Sequence, residues 1–301
     1  MPLAGARTSL DGWRDRREDP DVDGQLTLAD GRSMSYGEFG EPKGPPLLYC
    51  HGYPTNRIEY ELIAGVVEQA GIEVRVVVLD RPGYGSSTFQ PGRTLQDWPS
   101  DLAEAADQLG VDEFALLGVS GGGPYALACA AAMPQRVVRL GLVVAAGPAD
   151  APGMDKSLIL RTVPRTGIVR RIQFGLMGVG LEKGRDDKIL ENTLANIGEA
   201  DRPFLDRAEN KEWFLRMMRE ALKQGGHAAS HDGGIYLRPW GFDVGEVTTE
   251  THLWYGGLDE TVPPGVGEWL ARQLRDSELV VWPQHGHFTW MTSAQAAEAI
   301  G

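Results

Sequence analysis

Short apolar runs alternate with segments of helical periodicity through the first half of this 301-residue chain. Four runs are nearly continuous, as expected for strands covered on both faces: residues 47–50, 74–79, 114–119 and 137–144. Apolar positions with helical spacing separate them, at residues 59–70, 94–109 and 121–133. A hairpin with an Asp-Gly turn is predicted before them, over residues 26–39. Strands that alternate with helices predict a mostly parallel sheet with helices on both sides.

The strand pattern stops after residue 149 and resumes near residue 251. Helices are predicted in between, at residues 158–163, 168–177, 188–197 and 211–223. Beyond them, strands are predicted at residues 251–255 and 278–282 and helices at residues 265–274 and 288–300. We therefore predict an α/β core of residues 25–149 and 244–301 with eight strands, and a helical cap inserted at residues 150–243. Residues 1–24 are polar and charged, which predicts a loose N-terminal arm.

One serine lies at the apex of a tight turn between the strand at 114–119 and the helix at 121–133. The turn reads Gly-Val-Ser-Gly-Gly, with Ser120 between Gly118 and Gly122. The two glycines allow the strand end and the helix start to come close, so that the serine hydroxyl is pushed out of the turn. A phosphate-binding loop is disfavoured, because neither G-x-G-x-x-G nor a Lys-Ser/Thr pair occurs here.

An acid and a histidine follow two later strands of the predicted sheet. Asp259 comes after the strand at 251–255, and His287 comes after the strand at 278–282. Because the carboxyl ends of parallel strands lie at one edge of a sheet, we expect Ser120, Asp259 and His287 to meet there. A serine hydroxyl is a weak nucleophile, so a histidine must take its proton, and a carboxylate orients the ring. The order serine, aspartate, histidine is the one expected of α/β-hydrolases.

With these motifs, the chain resembles the α/β-hydrolase superfamily, and within it the serine hydrolases with a helical cap, such as esterases and proline iminopeptidases. The matching segments span about residues 25–300: His-Gly-Tyr-Pro at 51–54, Asp-Arg-Pro-Gly-Tyr-Gly-Ser at 80–86, the serine turn, Gly-Leu-Asp at 257–259 with Val-Pro at 262–263, and Gly-His at 286–287. The resemblance implies an oxyanion hole formed by the backbone N–H groups of Tyr53 and Gly121. A serine nucleophile disfavours epoxide hydrolases and haloalkane dehalogenases, whose family nucleophile is an aspartate.

Several other residues compete for these roles. His285 lies two residues before His287, but the family histidine directly follows a glycine, which favours His287. Glu260 is expected to be a solvated neighbour of Asp259, and Asp150 is an alternative position for the acid. His51 is expected to shape the oxyanion loop.

Further candidates lie in the predicted cap. His227 and His231 are four residues apart, yet glycine pairs flank them and no H-E-x-x-H motif is present, so a metal site is disfavoured. Four arginines could meet an acidic substrate or simply lie on solvated helix faces: Arg161, Arg165, Arg170 and Arg171. Phe214, Met217 and Met218 form an apolar stripe and are candidates for substrate contacts.

The amino-acid composition says more about which partners are disfavoured than about the fold. A net charge of −13 and a pI near 4.9 disfavour nucleic acid and anionic membranes as partners. Cys50 and Cys129 both lie in apolar runs and are expected to be buried thiols. No signal-peptide pattern or membrane-length apolar run occurs, so a cytoplasmic location is expected.

These features together predict a hydrolase that cleaves a carboxylic ester, thioester, lactone or amide of a small to medium apolar molecule. We expect neither a cofactor nor a metal, and a small-molecule substrate as the partner. The oligomeric state is not predictable. Since one fold supports many reactions, a lyase, a cyclase, a ligand-binding protein and a proline iminopeptidase-like aminopeptidase stay open as alternatives.

Overall fold

The computed structural model describes residues 24–158, 161 and 163–301, so the predicted N-terminal arm lies almost wholly outside the described residues. Its strands are β1 (Gly24–Thr27), β2 (Ser33–Gly40), β3 (Pro46–Cys50), β4 (Arg75–Leu79), β5 (Phe114–Val119), β6 (Val137–Val143), β7 (Thr251–Gly256) and β8 (Ser277–Trp282). They form one sheet in the order β1-β2-β4-β3-β5-β6-β7-β8. The β1–β2 and β2–β4 pairs are antiparallel and every other pair is parallel. The predicted eight-stranded, mostly parallel sheet is confirmed.

The helices follow in chain order as α1 (Glu61–Gln69), α2 (Trp98–Gln108), α3 (Gly123–Ala132), α4 (Gly167–Glu182), α5 (Asp186–Asn196), α6 (Arg202–Leu205), α7 (Ala208–Leu222), α8 (His227–Ile235), α9 (Pro264–Gln273) and α10 (Ala294–Ile300). The single helix predicted at residues 288–300 is wrong over its first part, residues 288–293. A short 3₁₀ turn, Thr289–Thr292, ends at Ser293, whose ψ of 174° is extended, and α10 begins only afterwards.

The middle strands are apolar along their whole length because both faces of the sheet are covered. Val76, Val77 and Val78 of β4 are fully buried, and they alternate between the two hydrophobic clusters that flank the sheet. Cys50 and Cys129 are both free, buried thiols of one cluster, and burial raises the pKa of Cys50 to about 11. No helix among the described residues is long and apolar enough to cross a membrane.

Helices α4 to α8 lie between β6 and β7, where a helical insertion was predicted. The segment predicted at residues 158–163 lies partly outside the described residues. Helix α7 contacts the core directly: Trp213 donates its indole N–H to the Ile58 carbonyl at 3.1 Å, and Asn56 donates to the Met217 carbonyl at 2.7 Å. The division into core and cap stays a prediction.

Candidate active site

Ser120 occupies a strained turn between β5 and α3. Its φ of +52° lies in the left-handed region, and Val144 is the only other non-glycine residue with a positive φ in the described part of the chain. A Cβ on Gly122 would lie 2.0 Å from the Cys50 carbonyl oxygen, and one on Gly118 would lie 2.8 Å from the Cα of Gly123. Glycine is therefore required on both sides, because strand and helix backbones approach too closely for any side chain.

The structure brings together the three residues that the sequence placed on three separate loops. His287 Nε2 lies 2.9 Å from Ser120 Oγ, and His287 Nδ1 lies 2.7 Å from Asp259 Oδ2. The other carboxylate oxygen accepts from the N–H groups of Thr261 at 2.7 Å and Val262 at 2.9 Å. Since the Asp259 carboxylate can only accept a hydrogen bond from Nδ1–H, the neutral ring carries its proton on Nδ1 and leaves Nε2 free to accept the serine proton.

Hydrogen bonds fix the orientation of two peptide groups at the serine turn and at the loop that follows β3. The Gly52 carbonyl accepts from Arg81 Nη2 at 2.6 Å, and the Ser120 carbonyl accepts from the Ala146 N–H at 2.9 Å. In a trans peptide the following N–H points opposite to the carbonyl. The N–H groups of Tyr53 and Gly121 therefore point in the opposite direction to these two carbonyls, and a Cβ on Gly121 would lie only 2.6 Å from Tyr53 Cβ.

Residues 47–299 match the sequence model of the alpha/beta hydrolase family, which is more than half of the chain. The chain belongs to this family. It is 26% identical to an AB hydrolase superfamily protein of Bacillus subtilis, over 81% of this chain and 85% of the relative. It is 25% identical to the pimeloyl-[acyl-carrier protein] methyl ester esterase of Neisseria meningitidis, over 83% and 88%. Among solved structures, a thermophilic esterase from Thermogutta terrifontis matches 89% of this chain and 92% of its own, with 27% identity and a TM-score of 0.65. Family and relatives together support a hydrolase.

The ring of His287 is basic although it is buried. Burial disfavours the charged form, but the negative charge and hydrogen bond of Asp259 outweigh it, and Asp201 and Glu59 add to that effect. The net result is a pKa of His287 above its ordinary value of 6.5. Such a ring is a stronger proton acceptor for a serine hydroxyl than a solvated imidazole.

Asp201, in the insertion between β6 and β7, binds the backbone of the loop that carries His287. Its Oδ2 accepts from the N–H of His287 at 2.8 Å, and its Oδ1 accepts from the N–H of Phe288 at 2.8 Å. Burial raises the pKa of this carboxyl, whose residue is fully buried just before α6. No local pattern marks Asp201 in the sequence, because its partners lie more than 80 residues away along the chain.

A second buried carboxyl, Glu59, binds the loop of residues 51–54 that is predicted to supply part of the oxyanion hole. Glu59 accepts the Gly52 N–H on both oxygens at 3.1 Å and the Tyr49 hydroxyl at 2.7 Å. On the other side, Arg81 donates to the His51 carbonyl and, at 3.2 Å, to Asp232 of α8. Arg81 lies within the family motif at residues 80–86, but no sequence pattern predicts a role for it or for Glu59.

Burial and the charge of Arg81 hold the pKa of His51 well below 6.5. Its Nε2 accepts from the Arg81 N–H at 3.2 Å, and its Nδ1 lies 3.2 Å from Thr55 Oγ1. His51 is thus a neutral, fully hydrogen-bonded ring, which fits the expectation that it shapes the loop.

The competing residues lie apart from the hydrogen-bonded group. His285 Nε2 lies 3.3 Å from Ser293 Oγ. Glu260 is exposed and accepts the Glu199 N–H at 3.0 Å, while Asp150 is exposed beyond β6. Among the described residues, none of the three is hydrogen-bonded to Ser120 or to the ring of His287.

The predicted substrate contacts on α7 face the protein interior. Phe214, Met217 and Met218 are nearly fully buried in the hydrophobic cluster that also includes Trp213. Their role in binding a substrate stays a prediction. Within the described chain, no group of three or more His, Cys, Asp or Glu side chains is placed to hold a metal ion.

Proposed function

We propose that this protein is a serine hydrolase that cleaves carboxylic esters of small to medium apolar molecules through an acyl-enzyme. The observation that carries the proposal is the unbroken hydrogen-bonded series from Asp259 through His287 to Ser120, with distances of 2.7 and 2.9 Å. Thioesters, lactones and amides react by the same steps.

In the first step, Ser120 Oγ attacks the ester carbonyl carbon while its proton moves to His287 Nε2. Asp259 stabilises the resulting imidazolium, and the N–H groups of Tyr53 and Gly121 donate to the new oxyanion. When the tetrahedral intermediate collapses, the C–O bond to the leaving group breaks and the departing alcohol takes the proton from Nε2.

In the second step, water replaces the alcohol and attacks the acyl-serine. His287 takes one proton from that water and returns it to Ser120 Oγ as the acid leaves. Each proton taken up by the ring is given back, so the enzyme ends unchanged. No cofactor is needed for this sequence.

The relatives favour an ester among the possible bonds. The Neisseria meningitidis protein is named for a methyl ester, and the Thermogutta terrifontis protein is named as an esterase. At identities of 25% and 27%, these names support the reaction class, and the substrate has to be measured.

The test is a series of p-nitrophenyl esters from acetate to decanoate, with wild type, Ser120→Ala and the exposed-serine control Ser100→Ala. We expect Ser120→Ala to lower kcat by about 10⁵- to 10⁶-fold and Ser100→Ala to leave it unchanged. The acyl chain length that gives the highest kcat/KM indicates the size of the acyl-binding pocket. A fluorophosphonate probe should label wild type at Ser120. Wild type that neither turns over any ester nor reacts with the probe would refute the hydrolase and favour a lyase or a binding protein.

A further inference from the structure

A basic cavity lies between α4 and α8, and neither Ser120, Asp259 nor His287 (the proposed catalytic triad) lines it. It has a volume of about 240 Å³. The ionisable residues that line it within the described chain are all arginines and histidines, with no Asp or Glu: Arg170, Arg171, Arg238, His227 and His231. The remaining lining residues are small, apolar or hydroxylic. The protein as a whole has a net charge of −13, so the sign of the charge at this cavity is opposite to that of the whole chain.

Arg170 is the buried cation of this cavity. The residue is 5% exposed, and three of its guanidinium hydrogen bonds go to main-chain carbonyls: Nε to Ser230 at 2.9 Å, and Nη1 to Pro164 at 2.7 Å and Arg165 at 2.9 Å. These bonds fix the plane of the guanidinium. Its remaining nitrogen, Nη2, has no hydrogen bond within the described residues.

Two glycines leave room for Nη2 at the cavity wall. A Cβ on Gly234 would lie 2.6 Å from Nη2, and one on Gly167 would lie 3.6 Å from it, and both glycines line the cavity. The free N–H groups of Arg170 thus lie beside the space, whereas the rest of the side chain is enclosed by protein.

The arginines that line the cavity have no carboxylate partner in the part of the chain that the structure describes. Among the described residues, Arg170, Arg171 and Arg238 form no ion pair, although other buried arginines do, such as Arg81 with Asp232. Burial lowers the pKa of Arg170, and the charge of Arg238 lowers it further. A buried cation without a counter-ion costs free energy, which a bound anion would offset.

We propose that this cavity binds a small anion, a carboxylate or a phosphate, held by Arg170 Nη2 and by the guanidinium groups of Arg171 and Arg238. Planar guanidinium groups match the paired oxygens of both anions. His231 Nε2 lies 2.7 Å from the Arg93 carbonyl and donates to it, so its ring is held in place at the wall. His227 stands at the first turn of α8 and adds a further donor.

The site has a structural connection to the oxyanion loop. Tyr53 donates its hydroxyl to the Ala229 carbonyl of α8 at 2.9 Å, and a Cβ on Gly233 would touch both that hydroxyl and Arg170. At its other end, Tyr53 Cβ lies against Gly121 beside the nucleophile. The Tyr53 side chain therefore extends from the serine turn to α8, where its hydroxyl lies near Arg170. The anion is either a free ion or the charged end of an ester substrate.

Binding of inorganic phosphate and of malonate is measured by isothermal titration calorimetry on the whole chain. The test variant is Arg171→Ala with Arg238→Ala, and its control is Arg202→Ala with Arg207→Ala, which removes the same charge from exposed arginines outside the cavity. We expect about tenfold or greater weakening in the first pair and little change in the second. Gly234→Ala keeps every charge but fills the space beside Nη2, so it should also abolish binding.

Ser120→Ala should bind both anions as wild type does, so the result is independent of the proposed hydrolysis. Comparing p-nitrophenyl hemisuccinate with the neutral butyrate distinguishes the two sources of the anion. If KM rises only for the hemisuccinate in Arg171→Ala with Arg238→Ala, the anion is the end of a substrate. If both KM values are unchanged while phosphate binding is lost, it is a separate ion. The proposal is overturned if wild type binds neither anion, or if both double variants weaken binding equally.

Discussion

Replacing Asp201 by asparagine should lower both stability and turnover, although the residue lies in the insertion between β6 and β7 and carries none of the proposed catalytic groups. Asp201 accepts two main-chain N–H groups, those of His287 and Phe288, each at 2.8 Å, in a fully buried position. Asparagine has the same shape but one acceptor oxygen, so its NH₂ group would face one of the two N–H donors. One hydrogen bond is lost, and one buried donor is left without a partner.

The magnitude follows from those two changes. A hydrogen bond to a charged group contributes about 1.5–3 kcal/mol, and an unsatisfied buried donor costs about 1–3 kcal/mol. Relaxation of the loop recovers part of this, so we expect the free energy of unfolding to fall by about 2–4 kcal/mol. Displacement of the His287 ring by a fraction of an ångström should lower kcat by about 10- to 100-fold.

A positioning role requires a measurement that general destabilisation does not affect. The negative charge of Asp201 helps to raise the pKa of His287, so its removal should move the acidic limb of the kcat/KM profile to lower pH. The matched control is Glu260→Gln, the same exchange at an exposed carboxylate that accepts one main-chain N–H. We expect this control to match wild type in urea unfolding and in its pH profile. If Asp201→Asn also matches wild type in kcat and in the acidic limb, the positioning role is refuted.

Three further predictions concern the triad and the serine turn. Because the pKa of His287 is raised and the neutral ring is the active form, kcat/KM should rise with pH along a limb whose midpoint lies above 6.5; a midpoint below 6.5 would contradict this. Asp259→Asn should shift that midpoint downward and lower kcat by about 10⁴-fold, and unchanged hydrolysis of p-nitrophenyl butyrate would exclude the triad. Gly122→Ala forces a Cβ to 2.0 Å from a carbonyl oxygen of β3 and should lower the free energy of unfolding by several kcal/mol. Gly175→Ala, whose Cβ meets nothing within 4 Å, should be neutral or stabilising by up to about 1 kcal/mol in the same urea titration.

The sheet and the serine turn were predictable because each depends on local sequence. A strand covered on both faces must be apolar throughout, as in β4. The serine turn requires glycine where the strand and helix backbones touch, as at Gly122. The predicted positions of helix ends were less accurate. The 3₁₀ turn before α10 interrupts a segment whose apolar pattern continues across Ser293.

Helix α8 shows why the remaining elements were not predicted. Its sequence, His-Ala-Ala-Ser-His-Asp-Gly-Gly-Ile, has no apolar stripe and contains two glycines, so local propensity argues against a helix. Tertiary contacts override that propensity. Asp232 forms buried ion pairs with Arg81 and Arg93, and Gly233 and Gly234 let Tyr53 and Arg170 approach the helix closely. None of these partners is near in sequence.

The insertion between β6 and β7 contacts both loops on which the proposed chemistry depends. From just before α6, Asp201 binds the backbone of the histidine loop. From α8, Asp232 holds Arg81, which in turn binds the carbonyls that orient the oxyanion loop. Because both contacts position catalytic backbone and neither needs to touch a substrate, substitutions in this insertion should change kcat as well as KM. In a cap that only selected substrates, substitutions would change KM and leave kcat unchanged. Comparing the change in kcat with the change in KM in Asp201 and Asp232 variants therefore distinguishes an insertion that only covers the site from one that positions the catalytic loops.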